Sequence, residues 1–169
     1  MISRTGKICA SFGFTILEMV IVVVIIGTFF AISAPLFSRF IENAKLDMAA
    51  RSVASALKVA RSHAITQDAD CSVVFNTAPT PNEYFDSFNG VDPIEKKYKL
   101  SSGIWFYKPG SADPVADAVE FAGDVASFKP TGELDEPADK AVCVSDGTDA
   151  SARSKTVTVE RTTGNLKIE

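Results

Sequence analysis

One histidine, three cysteines and several acidic runs are the residues of this 169-residue chain best suited to chemistry. His63 follows Arg61-Ser62 on a helix-like stretch, and no nucleophile, base and orienting group can be assembled around it from spacing. Asp135-Glu136-Pro137-Ala138-Asp139 and Asp146-Gly147-Thr148-Asp149 could offer oxygen ligands to Ca²⁺, but neither has the spacing of an EF-hand, so both read as solvated loops. CxxC, HExxH, a Walker loop and GxGxxG are all missing. These observations predict a protein without catalysis, metal or cofactor.

Glu18 is the acid in the least expected place, because it is the single charge between Phe14 and Ser38. A carboxylate in a bilayer costs roughly 2.5–3.5 kcal/mol on insertion scales, so it needs either a partner or an interfacial position. The 25 residues around it would reach about 37 Å as a helix, enough to cross a hydrocarbon core of about 30 Å. Arg4 and Lys7 precede the run with no acid beside them, which favours a cytoplasmic N-terminus and an exported remainder.

Beyond Pro35 the pattern becomes amphipathic. Phe37, Phe40, Ile41, Ala44, Met48, Ala49, Val53, Ala56, Leu57, Ala60, Ala64 and Ile65 recur at spacings of three and four, which predicts one apolar face. A helix from Phe14 to Thr66 follows, about 80 Å long, with Pro35 bending it. The period then changes. Cys71–Phe75, Ile104–Tyr107, Val119–Phe121, Ala141–Val144 and Thr156–Val159 read as strands, separated by Pro79-Thr80-Pro81-Asn82, Asn89-Gly90, Lys108-Pro109-Gly110, Pro130-Thr131-Gly132 and Thr163-Gly164-Asn165. The expected class is α+β, an antiparallel sheet packed on the helix. Aromatic residues near Tyr84, Phe85, Phe88 and Trp105-Phe106-Tyr107 read mostly as core, and the long loop Thr77–Lys97 as a partner surface.

Charge is unevenly placed. Residues 1–13 carry +2, residues 14–66 carry +2, and residues 67–169 carry ten bases against eighteen acids. Such an acidic head disfavours nucleic acid, whose affinity comes from Lys and Arg displacing counterions. Cys71 and Cys143 both fall in that head, where an oxidising compartment could join them; closing 73 residues would stabilise by about 4 kcal/mol. The other reading is two buried thiols on separate strands.

Ser11-Phe12-Gly13-Phe14-Thr15-Ile16-Leu17-Glu18, with the apolar run and Pro35 behind it, resembles the class III signal of type IV pilin-like proteins. That resemblance implies a prepilin peptidase cutting between Gly13 and Phe14, N-methylation of Phe14, and assembly of the long helices into a fibre. Glu18 would neutralise the Phe14 amine of a neighbouring subunit and so set the register of assembly. Cys9 would leave with the leader and is in no convincing lipoprotein box.

A second resemblance covers residues 37–169. Ala54-Ser55-Ala56-Leu57-Lys58-Val59-Ala60-Arg61-Ser62-His63-Ala64-Ile65, Phe128-Lys129-Pro130-Thr131-Gly132 and Val157-Thr158-Val159 before Thr163-Gly164 look like motifs of H-type minor pseudopilins of type II secretion and their FimT-like and FimU-like relatives. The arginine-bearing tail of several FimT-like proteins is absent: Gly164 is followed by Asn165-Leu166-Lys167-Ile168-Glu169.

The expected organisation is therefore a cleaved leader (1–13), a transmembrane half-helix (14–38), an amphipathic half-helix (39–66) and a periplasmic β-rich head (67–169) forming one globular domain with 39–66. The implied partners are the prepilin peptidase, other pilins or pseudopilins, the inner-membrane assembly platform with its cytoplasmic ATPase, and lipid. A minor type IV pilin serving pilus assembly or DNA uptake is the neighbouring alternative. A different class, a soluble exported enzyme or binding domain cut after Ala34, leaves Glu18 unexplained.

Overall fold

A computed structural model describes residues 14–77, 83–88 and 92–169, with only the backbone of 34–36, 85–88 and 92–97. The leader with Cys9 and Gly13 and the turns at Pro79–Asn82 and Asn89–Gly90 lie outside the described residues. The described residues form one α-helix, two short 3₁₀ turns and two four-stranded antiparallel sheets. The helix, α1 (Ile16–Gln67), runs without interruption through Pro35. The first sheet has the order β3-β2-β1-β5, with β1 Cys71–Asn76, β2 Glu83–Phe88, β3 Asp92–Lys99 and β5 Val125–Phe128. The second has the order β4-β6-β7-β8, with β4 Trp105–Phe106, β6 Lys140–Ser145, β7 Ser154–Val159 and β8 Leu166–Ile168.

The chain divides into two compact units at Phe40/Ile41. In the first, every described side chain from Phe14 to Ser33 is exposed, including Phe14 at 72% and Ile16 at 86%. The helix satisfies its own polar side chains there: Thr28 Oγ1 donates to the Ile25 carbonyl at 2.7 Å and Ser33 Oγ to the Phe29 carbonyl at 2.8 Å. Such back-bonding lets hydroxyls sit in an apolar segment without an unsatisfied donor.

In the second unit Leu46, Ala49, Ala50, Val53, Ala54, Ala56, Leu57, Ala60 and Ala64 are buried and line one face of α1. Alternation puts Cys71, Val73 and Phe75 of β1 into the same core, while β7 contributes Val157 and Val159. Phe75 joins the two sheets. Its ring stacks on Phe121 at 6.0 Å, meets Phe106 of β4 edge-on at 5.5 Å and lies 6.1 Å from Tyr84 of β2. Each such pair adds about 0.5–1.5 kcal/mol beyond burial. The Tyr84 hydroxyl is 2.7 Å from Ser52 Oγ on α1, so the buried phenol keeps a polar partner.

Four expectations are corrected. The described strands form two sheets rather than one. The segment read as a long loop, Thr77–Lys97, contains β2 and most of β3, whose register shifts between Phe85 and Ser87. Val119–Phe121 forms only an isolated bridge, Val119 to Val142, and then a 3₁₀ turn, Ala122–Asp124. Phe37, Phe40, Ile41, Met48 and Ile65 are exposed, with Met48 at 65%, because the core side of α1 is built from alanine, leucine and valine.

Candidate assembly interface

Local chemistry fixes where α1 begins. The Thr15 hydroxyl accepts a hydrogen bond from the Glu18 N–H at 3.2 Å, and the Thr15 carbonyl accepts from Glu18 N–H at 3.1 Å and Met19 N–H at 3.3 Å. Thr15 is thus the N-cap, Ile16 the first helical residue and Glu18 a first-turn acid beside the positive end of the helix dipole. Among the described residues the Glu18 carboxylate accepts no hydrogen bond and forms no ion pair. Phe14 stands outside the helix and exposed. Thr15 was not singled out from sequence, although Thr-x-x-Glu before an apolar run is the signature of a capping box.

From this end α1 carries a run long and apolar enough to cross a membrane by length and composition, with none of that window buried. A signal sequence would pass the same test, so chemistry at Gly13–Phe14 or after Ala34 decides between the readings.

On the second unit, the flank of α1 near Glu42 is strapped to β7. Arg153 binds Asp146 through its backbone N–H (2.9 Å) and Nε (2.7 Å), reaches Glu42 at 3.0 Å and also contacts Asn43. Lys155 Nζ donates to Asp47 at 2.8 Å, and Arg51 Nε donates to its other oxygen at 2.8 Å. The Lys155 bond, then the Arg51 bond, hold the Asp47 carboxyl below its ordinary 3.8. Beside this strap lies a groove of about 400 Å³ lined by Glu42, Lys45, Gly103, Asp146 and Asp149 among others.

The acidic loops are used as ties. Asp135 pairs with Lys129 at 2.9 Å, Glu136 accepts from the Ala122 N–H at 2.9 Å and Asp139 from the Arg161 N–H at 2.8 Å. Among the described residues no three His, Cys, Asp or Glu converge as metal ligands. His63 is exposed on α1. Cys71 and Cys143 are buried thiols that no bond joins: the first is on β1 of one sheet, the second opposite Thr156 on β6 of the other. The bridge considered from sequence is therefore absent from this structure. Burial pushes the Cys143 thiol upward, offset in part by hydrogen bonds from Thr156 and Ser154.

The far end of the head brings together three segments noted in the sequence. Arg61 Nε donates to the Gly132 carbonyl at 3.1 Å, and a Cβ on Gly164 would meet Arg61 Cδ at 2.9 Å.

Comparison with known proteins places these features in a family context. The model of a family described as type II transport protein GspH matches residues 49–163. The crystal structure of the type IV minor pilin FimU of Pseudomonas aeruginosa PAO1 is 16% identical, covers 77% of this chain and 92% of its own, and superposes with a TM-score of 0.53. The minor pseudopilin EpsH of the Vibrio cholerae type 2 secretion system is 12% identical over 74% of this chain and 96% of its own, with a TM-score of 0.46. No curated protein sequence matches. At such identity the FimU likeness bears on the fold, a long helix packed on antiparallel sheets.

Proposed function

The chain belongs to the GspH family of type II transport proteins, and on that premise we propose that it is a non-enzymatic minor subunit of a type II secretion pseudopilus. The match over residues 49–163 carries this reading. Pilin-like subunits act by assembling, so the work falls to helix packing rather than bond chemistry. A prepilin peptidase removes residues 1–13 by cutting between Gly13 and Phe14, and the new Phe14 amine is methylated. Residues 14–38 then span the bacterial inner membrane with the N-terminus cytoplasmic, and residues 39–66 with 67–169 form the periplasmic domain. Pro35 bends the helix between the two halves.

Assembly draws the helix out of lipid at the inner-membrane platform and packs it against other pseudopilins. Glu18 pairs with the Phe14 amine of a neighbouring subunit, which removes two charges from an apolar environment at once. The Glu18 carboxylate, left without a partner by its own helix, supports this role.

A minor type IV pilin is the second reading, favoured by the fold shared with FimU. Intact mass and N-terminal sequencing of the protein from its native membrane test the common route. A start at Phe14 with one added methyl is expected, whereas a start at Pro35 would mean a soluble exported domain. Deletion then separates the machines: lost secretion of exoproteins with intact pili marks a pseudopilus, and lost pili with intact secretion marks a minor pilin.

A further inference from the structure

Leader removal requires that the backbone around the scissile bond be available. Inside an α-helix, past the unpaired groups of its ends, each carbonyl and N–H is committed to a partner four residues away, so a peptide bond there must be unwound before a protease can hold it. Phe14 escapes this because Thr15 terminates the helix on its N-terminal side: Thr15 Oγ1 takes the Glu18 N–H at 3.2 Å, and α1 starts at Ile16. The Thr15 hydroxyl is the one side-chain group among the described residues that caps this end.

We propose that Thr15 is a positioning residue for processing: its cap stops α1 one residue short of Phe14 and so keeps the backbone on the C-terminal side of the cleaved bond open to the peptidase. In the reaction water adds to the Gly13 carbonyl carbon, the C–N bond to Phe14 breaks, Gly13 leaves as a carboxylate and the Phe14 nitrogen departs as an amine carrying the transferred proton. Thr15 touches none of the reacting atoms. The inference rests on the reading of Gly13–Phe14 as the processing site.

Thr15→Val keeps shape and β-branching but removes the acceptor oxygen. Thr15→Ser restores it, and Thr15→Asn supplies a different side chain that caps equally well. Full-length precursors are pulse-labelled in cells with the peptidase, the carbonate-resistant membrane fraction is isolated, and precursor and mature masses are followed with time. Scoring only inserted protein removes variants that fail to enter the membrane. The expected result is leader loss roughly fivefold slower for Thr15→Val, the size of one lost cap, with Thr15→Ser and Thr15→Asn near the wild-type rate. Wild-type processing of Thr15→Val overturns the proposal, and so does a Thr15→Asn variant as slow as Thr15→Val, which would mean that the peptidase reads the threonine itself. A wild-type chain not cut after Gly13 would instead sink the processing reading.

Discussion

The Arg61 Nε–H donates to the carbonyl of Gly132 across 71 residues of sequence, at 3.1 Å. Gly164 packs against the same side chain, so a turn from each sheet closes on one arginine of α1. Both glycines have positive φ, 82° and 62°, and space is tightest at Gly164, where an added Cβ would sit 2.3 Å from the Gly132 carbonyl oxygen.

Gly164→Ala should therefore be far more harmful than an ordinary left-handed glycine replacement. Gly110 supplies the control, since its φ is 79° and nothing lies within 4 Å of a built Cβ. Gly110→Ala should cost about 1–2 kcal/mol from backbone strain alone. Gly164→Ala adds a clash with backbone that cannot swing aside, for a total of about 3 kcal/mol or more. Thermal unfolding of the purified full-length protein in detergent reads the difference; equal losses for the two variants would show that Arg61 and the Gly132 turn yield easily.

The C-terminus of α1, close by, makes the opposite prediction. Asp68 has φ 51° just beyond Gln67, and the Ala69 N–H bonds to the Ala64 carbonyl at 3.3 Å, which is a Schellman cap with aspartate at the left-handed position. Asp68→Gly relieves that conformation and should stabilise by about 0.5–1 kcal/mol, raising Tm by roughly 1–4 °C. A drop in Tm would mean that the Asp68 side chain contributes more than its backbone costs.

How much of this could be read from sequence depended on the strength of each local signal. β1, β6 and β7 were legible because Val73, Phe75, Val142, Val144, Val157 and Val159 place apolar residues at strand spacing beside clear turns. β2 and β3 were not, because Glu83–Phe88 and Asp92–Lys99 mix charges into the run and lie toward one sheet edge. The buried face of α1 was blurred by its own composition: Ala50 and Ala54 carry little hydrophobic signal, while Phe37 and Met48 carry much and face outward. Arg61 could be placed in a motif, but its closure on Gly132 and Gly164 is a tertiary contact that no local pattern encodes. The division of the core between two sheets was hidden for the same reason.

Acid should loosen the strap between α1 and β7. The Asp47 carboxyl is held below its ordinary value by Lys155 and Arg51, so the unfolded chain binds a proton there before the folded one does. The stabilisation is complete above 3.8 and is lost as pH falls through the lower folded value. Asp47→Asn lacks this contribution at every pH. The gap in denaturation midpoint between wild type and Asp47→Asn should thus be constant from pH 7 to 5 and close toward pH 2; a gap that widens in acid would reverse the assigned sign.

Cys71 and Cys143, at 1% and 5% exposure, should behave as protected thiols. Burial also raises the Cys143 pKa, which lowers its reactive thiolate fraction near neutrality. Native protein recovered after export, with no reductant present, should resist alkylation at pH 7, and both thiols should label fully once the chain is unfolded in denaturant. A mass two daltons light that persists until reductant is added would show a bond between them and require the two sheets to shift.

The Glu18 pairing predicts a separation of steps. Glu18→Val removes a charge whose insertion costs roughly 2.5–3.5 kcal/mol without shortening the apolar run, so membrane entry should be unimpaired or improved. The Thr15 cap uses the backbone N–H of residue 18 rather than its carboxylate, so helix initiation and leader removal should also persist. What is lost is the partner for the neighbouring Phe14 amine, and incorporation into sheared fibres should fall at least tenfold while the cleaved subunit accumulates in the membrane. Glu18→Gln separates charge from hydrogen bonding: if neutralisation drives assembly it should fail like Glu18→Val, and fibre levels close to wild type would show that a hydrogen bond at this position is enough.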